Sequence, residues 1–368
     1  MRIKDDNYYM KRALSLSRKG AGMVSPNPLV GALIVKKGRV IGEGYHRRPG
    51  GGHAEVLAIE EAGEKASGAT LYVTLEPCCH FGRTPPCTDR IIASGIQRVV
   101  APMEDPNPDV GGKGFRRLRK EGIKVTVGVQ QELAERTNEI YFHTVRTRGP
   151  FVLLKSALSL DGKIATSGGH SRWITSEKAR QSVHRLRYEM DAVMVGIGTV
   201  LIDDPLLTVR DYSQKKCIRR IVLDTYLRMP SHSRLLKSLD EGEVIIFTSK
   251  RAPEGRKKRL ERKGGIIYSV PARKGKLSLP AVMKKVSDLG ITSVLLEAGS
   301  ELAWAALEAK IVTKVYFFYG TIILGGTGAP PAVGGRGVSL LRHAIRLESV
   351  KISKLGEDFL LEGRPLYK

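Results

Sequence analysis

Two stretches of the sequence hold the residue types of a zinc site with one open position. The first contains His53-Ala-Glu55, and the second contains Pro-Cys78 and continues to Cys87. One histidine and two thiolates leave the fourth tetrahedral position on zinc free for water, as in catalytic sites. Zinc lowers the pKa of such a water toward neutrality, and a nearby carboxylate can then move protons. We expect His53, Cys78 and Cys87 as zinc ligands and Glu55 as a catalytic residue.

The spacing of His53 and Glu55 constrains the geometry of this site. Residues two positions apart do not share a side of a helix. Both can serve one centre only if they lie at the first turn, where side chains reach past the helix N-terminus. A purely structural zinc is the alternative, and it would leave Glu55 without a role.

The spacing of the cysteines is more specific than their number. Zinc deaminases have His-x-Glu followed by Pro-Cys-x-x-Cys, whereas eight residues separate Cys78 from Cys87 here. This longer insertion, with Gly-Arg-Thr-Pro-Pro inside it, resembles the deaminase half of the bifunctional deaminase/reductases of riboflavin biosynthesis. The family pattern uses the cysteine directly after proline, so the resemblance leaves Cys79 as a small buried residue. It implies an α/β fold whose N-terminal domain is a cytidine-deaminase-like, three-layer domain.

The resemblance also covers segments that contact substrate in the deaminase domain. Ser25-Pro-Asn27-Pro-Leu-Val-Gly precedes a predicted hairpin, and Gly-Glu-Gly-Tyr-His46 ends it. The family implies that Asn27, His46 and His80 hold the pyrimidine or the ribose phosphate. Arg83 stands where relatives often have lysine, and its planar guanidinium makes different contacts from an ammonium group. Taken singly, His46 or His80 would be an ordinary surface residue, and Asn27 would be an ordinary turn residue.

Glycine-containing turns follow two predicted strands in the second half of the chain. Residues 195–203 contain the first turn and residues 296–301 contain the second. Glycine at a strand-to-helix turn lets backbone amides approach a phosphate, and the helix N-terminus favours its negative charge. The usual dinucleotide pattern Gly-x-Gly-x-x-Gly is not met, because Leu201 occupies the last position.

Together these segments resemble the reductase half of the same family, so the resemblance spans nearly the whole chain. It implies a C-terminal dihydrofolate-reductase-like domain that uses NADPH. The implied cofactor contacts are Ala157, Trp173, Thr199, Asp203, Thr225, Gly299 and Ser300. The implied substrate contacts are Ser171, Arg187, Leu207, Arg210 and Glu297, with Lys155 and Asp161 as catalytic residues near the reacting centre. Guanidinium groups bind phosphate oxygens bidentately, which suits the two arginines.

The elements that must position these residues follow an α/β pattern. In the first half we predict helices at 6–17, 55–63, 88–94 and 114–121, and strands at 30–35, 39–45, 70–75 and 98–102. The sequence Arg-Thr-Arg-Gly-Pro then marks a boundary, because glycine and proline interrupt regular structure. In the second half we predict strands at 151–158, 192–195, 220–223, 244–248, 266–269, 293–297 and 315–318. The strand order is left open.

Length and composition agree with two globular domains. The chain has 368 residues, and 61 lysines and arginines against 37 acidic residues give a formal charge of +24. The basic residues recur along the whole chain, which fits either a solvated surface or an anionic ligand. Three of the four cysteines lie within ten residues, which favours a metal or reactive site over a disulfide scaffold. We find neither a membrane-length apolar run nor a secretory signal, and expect a cytoplasmic protein.

The predicted function follows from the resemblance. Residues 1–146 form a zinc-dependent pyrimidine deaminase domain, and residues 147–368 form an NADPH-dependent reductase domain. The substrate is 2,5-diamino-6-(5-phosphoribosylamino)pyrimidin-4-one, a phosphorylated pyrimidine whose ribosyl group becomes ribityl after deamination. We expect a homo-oligomer formed through the reductase domain, without nucleic-acid or membrane partners. The alternatives are a nucleic-acid base deaminase, favoured by the charge, and a non-catalytic zinc-stabilised binding module.

Overall fold

The computed structural model describes residues 5–81, 85–210 and 216–367. Contacts divide the chain into two units, with the division between Arg148 and Gly149. Among the described residues, no helix is long and apolar enough to cross a membrane.

The first unit is built on a five-stranded sheet of order β2-β1-β3-β4-β5. Its strands are β1 (Gly31–Lys36), β2 (Arg39–Tyr45), β3 (Thr70–Val73), β4 (Arg98–Ala101) and β5 (Lys124–Val127). Its helices are α1 (Asp6–Ser17), α2 (Ala54–Ala62), α3 (Cys87–Ala93), α4 (Lys113–Lys120), α5 (Gln131–Thr137) and α6 (Glu139–Thr147). Strand β1 is antiparallel to β2 and β3, and β3, β4 and β5 are parallel.

Alternating residues of β1 bury apolar side chains on both faces of this sheet. Ile34 belongs to a cluster with residues of α2, α3 and α4. Leu33 belongs to a cluster with residues of α1 and α5 on the other face. Since successive strand side chains point to opposite faces, the unit has three layers, helix, sheet and helix.

Glycines in β2 set how closely α2 approaches the sheet. A Cβ added at Gly42 would lie 2.2 Å from the Ala58 carbonyl oxygen, and one added at Gly44 would lie 2.4 Å from that of Ala54. Both distances are impossible for real side chains, so α2 lies directly on the backbone of β2. This contact fixes the start of α2, where His53 and Glu55 are.

The second unit is built on a nine-stranded sheet of order β10-β9-β8-β7-β13-β6-β14-β16-β15. These strands are β6 (Phe151–Ser159), β7 (Ala192–Gly196), β8 (Arg219–Leu223), β9 (Val244–Ser249), β10 (Ile266–Val270), β13 (Ser293–Glu297), β14 (Lys314–Gly320), β15 (Arg346–Leu355) and β16 (Asp358–Leu366). A separate small hairpin contains β11 (Ala272–Arg273) and β12 (Lys276–Leu277). The helices are α7 (Glu177–Glu189), α8 (Ile197–Asp203), α9 (Arg234–Lys237), α10 (Glu254–Glu261), α11 (Leu279–Asp288) and α12 (Ser300–Glu308).

The strands from β10 to β14 in this order are parallel, and β16 and β15 continue the sheet antiparallel. Strand β13 enters between β7 and β6, although it follows both in the sequence. The carboxyl ends of the parallel strands therefore meet at one edge, where open α/β sheets bind ligands. We call it the carboxyl edge.

The predicted helix at 6–17 has the bounds of α1, and the predicted strands at 39–45 and 293–297 have those of β2 and β13. The other predicted elements are present with one or both ends shifted by one or two residues. Strands β5, β15 and β16 were not predicted. Both β5 and β15 lie at sheet edges, and β15 leaves Val350 50% and Ile352 65% exposed, so burial gives little pattern to detect.

Candidate functional site

Three potential metal ligands converge in the first unit. His53 caps the N-terminus of α2, Cys78 follows β3, and Cys87 is the first residue of α3. The His53 Nδ1 atom lies 3.0 Å from Cys87 Sγ and 3.6 Å from Cys78 Sγ. One ligand atom from each residue lies within 4.8 Å of the others. This donor set of one imidazole and two sulfurs fits zinc with an open position.

The two cysteine sulfurs share a strongly polarised environment. The contact with Cys87 lowers the pKa of the Cys78 thiol to about 4, and His53 contributes in the same direction, although burial opposes both. The contact with Cys78 raises the pKa of His53 and, together with burial, that of the Cys87 thiol. A thiolate at Cys78 is the form that binds a metal.

Glu55 lies in the first turn of α2 beside these ligands. Its side chain is buried at 4% exposure. Burial, followed by the negative charge of Cys78, raises the pKa of this carboxyl to about 7. His53 and Glu55 thus both lie at the helix start, which is the arrangement that the spacing of the two residues requires.

Asn27 and His46 form a pair next to the metal ligands. The His46 ring packs edge-on against that of His53, with centroids 5.6 Å apart. His46 Nδ1 lies 3.3 Å from the Gly52 carbonyl oxygen, which can only accept, so this nitrogen donates. His46 Nε2 then accepts from Asn27 Nδ2 at 3.0 Å. Burial lowers the pKa of His46, in agreement with this neutral tautomer.

The remaining predicted residues of this site lie on the loop between Cys78 and Cys87. His80 is exposed, and the structure brings it into none of the contacts described above. Arg83 lies outside the described residues. Cys79 is partly buried, and burial raises the pKa of its thiol.

Glu76 is a positioning residue that the sequence analysis did not identify. It is buried three residues after β3, just before the Pro-Cys pair. Its Oε2 accepts from the backbone amides of Asp105 and Gly112 at 3.0 and 2.8 Å, and its Oε1 accepts from the Phe115 amide at 3.2 Å. The carboxylate therefore joins the Cys78 loop to the start of α4. An acid between a buried strand and the Pro-Cys pair was the available signal.

Asn138 has a similar function for the segment that contains Asn27. Its Oδ1 accepts from the Leu29 amide at 2.7 Å, and its Nδ2 donates to the Leu29 carbonyl at 3.0 Å. The side chain is buried, so it replaces a strand partner for that residue. No local sequence pattern predicts this contact, because the two residues are far apart in the chain.

In the second unit, Glu297 lies between two cations. It pairs in register with Lys155 on the neighbouring strand β6. Lys155 Nζ lies 3.6 Å from Glu297 Oε2, and Arg187 Nε donates to Glu297 Oε1 at 2.6 Å. Burial alone would raise the pKa of Glu297, but the charges of Arg187 and Lys155 lower it to about 2. The structure thus brings together three predicted residues as one charged group.

Arg187 also holds the loop that follows α8. Its Nη1 donates to the Thr208 carbonyl at 3.2 Å. Leu207, one residue earlier, is buried and adopts a left-handed backbone conformation with φ of 54°. Arg210 is exposed on the same loop. This loop therefore carries two predicted substrate contacts and is bound to a third.

The predicted cofactor residues lie along the carboxyl edge. Thr199 and Asp203 belong to α8, which follows β7. Gly299 caps α12 after β13, and Ser300 begins that helix. Thr225 follows β8, and Ala157 lies within β6. A Cβ added at Gly198 or Gly299 would have no atom of the described residues within 4 Å, so the backbone there faces open space.

Asp161, Ser171 and Trp173 lie in loops after β6. The Asp161 carboxylate accepts from the Ser159 hydroxyl and from the amides of Leu324 and Gly325, at 2.6, 3.0 and 2.7 Å. These hydrogen bonds lower its pKa to about 2. Both Ser171 and Trp173 are exposed, and the Arg180 guanidinium lies 4.3 Å from the Trp173 ring centroid. The sequence-predicted residues are thus distributed over several loops rather than gathered at one point.

Comparison with known proteins identifies the family. The family model of the RibD C-terminal domain matches residues 150–361, and that of the cytidine and deoxycytidylate deaminase zinc-binding region matches residues 3–103. The riboflavin biosynthesis protein RibD of Aquifex aeolicus is 43% identical over 97% of this chain and 97% of its own. The chain belongs to the RibD family. RibD of Actinobacillus pleuropneumoniae is 42% identical over 96% of this chain and 94% of its own.

A solved RibD-type structure agrees over almost the full length. It is the diaminohydroxyphosphoribosylaminopyrimidine deaminase/5-amino-6-(5-phosphoribosylamino)uracil reductase of Thermotoga maritima, with 39% identity and a TM-score of 0.85 over 98% of this chain and 99% of that one. The predicted α/β fold class, a deaminase-like domain followed by a reductase domain, is confirmed. This RibD chain is a bifunctional deaminase/reductase of riboflavin biosynthesis with a zinc-binding deaminase domain.

Proposed function

We propose that residues 1–146 deaminate 2,5-diamino-6-(5-phosphoribosylamino)pyrimidin-4-one, and that residues 147–368 reduce the ribosyl group of the product to ribityl with NADPH. The observation that carries the proposal is the convergence of His53, Cys78 and Cys87 beside the buried Glu55. The name of the Thermotoga maritima relative supports the choice of substrates.

In the deaminase domain, His53, Cys78 and Cys87 would hold zinc, which when bound supplies the Lewis acidity that makes water a nucleophile at neutral pH. Glu55 takes a proton from the attacking water and passes it to a ring nitrogen of the pyrimidine. The water oxygen forms the new bond to carbon, and the carbon–nitrogen bond to the amine breaks. Glu55 then takes the remaining proton of the added hydroxyl and gives it to the amine, which leaves as ammonia.

Asn27 and His46 orient the pyrimidine in this proposal. Because His46 Nε2 accepts from Asn27 Nδ2, the orientation of the Asn27 amide is fixed. Its oxygen is then directed to accept a hydrogen bond from an amino group of the ring. A fixed acceptor costs less entropy on binding than a mobile one. We assign His80 and Arg83 to the substrate phosphate on the family resemblance alone.

In the reductase domain, NADPH when bound supplies the reducing equivalent for the ribosyl carbon. The ribosyl ring opens to an imine, which is then reduced. We assign to Lys155 the role of donating a proton to the substrate nitrogen during this reduction. Arg187 already donates to Glu297 and Thr208, so it positions Glu297 and the 206–210 loop. Arg210 is exposed and binds the substrate phosphate. The contacts of Asp161 favour a positioning role, in which it fixes residues 324–325.

The open backbone at the carboxyl edge supports a dinucleotide there, with Ala157, Trp173, Thr199, Asp203, Thr225, Gly299 and Ser300 as contacts. We also propose a cytoplasmic enzyme that forms a homo-oligomer through its reductase domain. Sedimentation of the whole chain and of residues 147–368 would test the oligomer, and a monomer in both cases would contradict it.

The test of the proposed function follows two products in one sample. Zinc-loaded protein is mixed with the diaminopyrimidinone ribosyl phosphate and NADPH, and ammonia release and NADPH oxidation are recorded together. We expect ammonia first and NADPH oxidation after it. Ammonia without NADPH oxidation would contradict the reductase assignment, and deamination of RNA bases in place of this substrate would contradict the choice of substrate.

A further inference from the structure

Arg220 on β8 is a buried cation that the reaction steps proposed above do not use. Of the described residues that are fully buried, it has the largest side chain. Its register partners, Val193 on β7 and Val244 on β9, are apolar, and both belong to a buried cluster that also contains Leu207. Burying a charged group in such a cluster is unfavourable unless hydrogen bonds compensate it. The position of Arg220 therefore indicates a role beyond packing.

Hydrogen bonds to uncharged oxygen atoms satisfy this guanidinium. Its Nη2 donates to the carbonyl oxygens of Ser238 and Gly242 at 2.7 and 2.5 Å. Its Nη1 donates to Ser238 Oγ at 2.8 Å and to the Leu206 carbonyl at 3.3 Å. Ser238 and Gly242 lie between α9 and β9, whereas Leu206 belongs to the 206–210 loop. Arg220 thus joins this loop to the segment that leads into β9.

A second arginine holds the same loop from another element. Arg187 on α7 donates to the Thr208 carbonyl at 3.2 Å. The two arginines therefore bind the carbonyl groups of the residues on either side of Leu207. Leu207 itself has a left-handed backbone with φ of 54°, which is unfavourable for a leucine and persists only where surrounding contacts enforce it. Backbone strain of this kind is typical of ligand-binding sites.

The helix that precedes the loop is fixed by a different contact. Asp204 follows the last residue of α8, and its Oδ1 accepts from the Arg234 amide at 2.8 Å. Two of the proposed cofactor contacts lie on α8, whereas two of the proposed substrate contacts lie on the 206–210 loop. Loss of the contact from Arg220 should therefore displace the loop without displacing α8.

We propose that Arg220 is a positioning residue of the reductase reaction. By holding the Leu206 carbonyl from within the core, it keeps the 206–210 loop in the conformation that presents Leu207 and Arg210 to the phosphorylated substrate. Arg220 acts through the loop and contacts neither substrate nor cofactor. This inference rests on the proposed reductase function. It predicts that the KM for the substrate depends on Arg220 and that NADPH binding does not.

The test compares variants of the full-length, zinc-loaded protein. Arg220→Lys retains the charge, but its compact ammonium group cannot reproduce the planar set of donors. Arg220→Met removes the charge and every donor with little change in length. Arg219→Lys is the matched control, because Arg219 is the adjacent residue on β8 and pairs with the exposed Glu243. Ser238→Ala is a second control, since it removes an acceptor of Arg220 that lies outside the loop.

Three quantities are measured for each variant. NADPH oxidation gives kcat and KM for 5-amino-6-(5-phosphoribosylamino)uracil, a binding titration gives the Kd of NADPH, and urea denaturation gives the free energy of unfolding. We expect KM to rise about 10- to 100-fold in Arg220→Met and by a smaller factor in Arg220→Lys, since a hydrogen bond from a charged donor is lost. Both kcat and the Kd of NADPH should change less than about 3-fold, because binding shared by ground and transition states affects KM alone.

The controls separate this effect from a loss of stability. Arg219→Lys should leave KM within about 2-fold, because an exposed ion pair contributes little. Ser238→Ala should lower the free energy of unfolding and also leave KM within about 2-fold, since the loop keeps its contact with Arg220. A rise in KM that follows the loss of stability across all variants would overturn the inference.

A double-mutant cycle shows whether Arg220 acts through the loop. Arg220→Lys is combined with Arg210→Gln, and KM is measured for both single variants and for the double variant. If Arg220 positions Arg210, the increase in the double variant should be smaller than the product of the two single increases. Independent effects, which multiply, would contradict this role.

Three other outcomes would overturn the inference. These are an unchanged KM in both Arg220 variants, equal losses for substrate and NADPH, and failure of both variants to fold, which would make Arg220 a requirement of the fold alone. If the unmodified protein does not oxidise NADPH with this substrate, the proposed reductase function itself fails.

Discussion

The zinc centre and the carboxyl edge are assembled in opposite ways. At the proposed zinc centre, His53, Cys78, Cys87 and Glu55 come from two helix starts and one loop, and buried Glu76 fixes that loop. At the carboxyl edge, the proposed residues lie on or after several different strands, and most of them are only partly buried. The first arrangement suits a small ion with strict geometry, and the second suits a long cofactor with many weak contacts.

The buried carboxyl groups of the two sites also differ in the direction of their pKa shifts. Burial raises the pKa of Glu55 to about 7, beside the negative Cys78. Arg187 and Lys155 lower the pKa of Glu297 to about 2, although burial opposes them. A buried carboxyl therefore behaves differently at the two sites because its neighbours have opposite charge. The four predictions below test this contrast, from the largest expected effect to the smallest.

Replacing a ligand should abolish the first site and spare the second. For Cys87→Ser we expect loss of zinc and of ammonia release, because the hydroxyl is a poor zinc ligand. Metal analysis and an ammonia assay measure these losses, and NADPH binding should be unchanged. Cys79→Ser is the matched control and should retain zinc. Zinc loss in the control would show that Cys79, rather than Cys78, is the ligand.

Replacing the proton carrier should separate metal binding from catalysis. Glu55→Gln should bind zinc normally and lose about 10²- to 10⁴-fold in the rate of ammonia release, the usual contribution of a general acid-base residue. The measurement is kcat with zinc content determined on the same sample. A rate near that of the unmodified protein would remove Glu55 from the proton transfers.

Removing Glu297 should destabilise the second unit, because Arg187 and Lys155 would lose their shared counter-charge. Glu297→Gln should cost about 3–5 kcal/mol, the usual effect of breaking a buried ion pair. Since the pKa of Glu297 is about 2 in the folded chain against 4.5 as the reference value, its stabilisation is present above pH 4.5.

That stabilisation is lost as the pH falls from 4.5 toward 2. The free energy of unfolding of both proteins, measured by urea denaturation at several pH values, should therefore differ most near neutral pH and converge in acid. Arg185→Gln, which removes an exposed pair with Glu189, is the control and should change stability by less than about 1 kcal/mol. A pH-independent difference would contradict the assigned ionisation of Glu297.

Glu76→Gln should have the smallest effect of the four. The amide replaces one accepting oxygen with a donor that faces backbone N–H groups, so we expect a loss of about 1–3 kcal/mol in stability. Zinc affinity should fall about 10-fold, as is usual for residues that orient metal ligands. Competition with a chelator measures the affinity. Unchanged zinc affinity in a destabilised variant would restrict Glu76 to a purely structural role.

Part of each site could be predicted because its signal is local. The His-x-Glu motif and the Pro-Cys pair are each no longer than three residues, and the structure places His53, Cys78 and Cys87 together. Some residues predicted to contact substrate also adjoin one another in the structure, namely Asn27 and His46, and Arg187 and Glu297. Their roles in binding remain predictions.

The other part depends on long-range contacts. Asn138 fixes Leu29, and no local sequence pattern predicts this contact. The position of Glu76 before the Pro-Cys pair marks it as unusual, but it does not specify its partners at the start of α4. Edge strands such as β15 were missed because exposed strands lack a buried face.

The sequence by itself determined the chemistry, because ligand types, acid-base groups and glycine turns are properties of short segments. It also determined the α/β class, since alternating strand and helix patterns are local. Tertiary structure decided the strand order, including the entry of β13 between β7 and β6. It also decided the opposite pKa shifts of Glu55 and Glu297. Both depend on which distant groups share a low-dielectric interior, and short segments do not specify those neighbours.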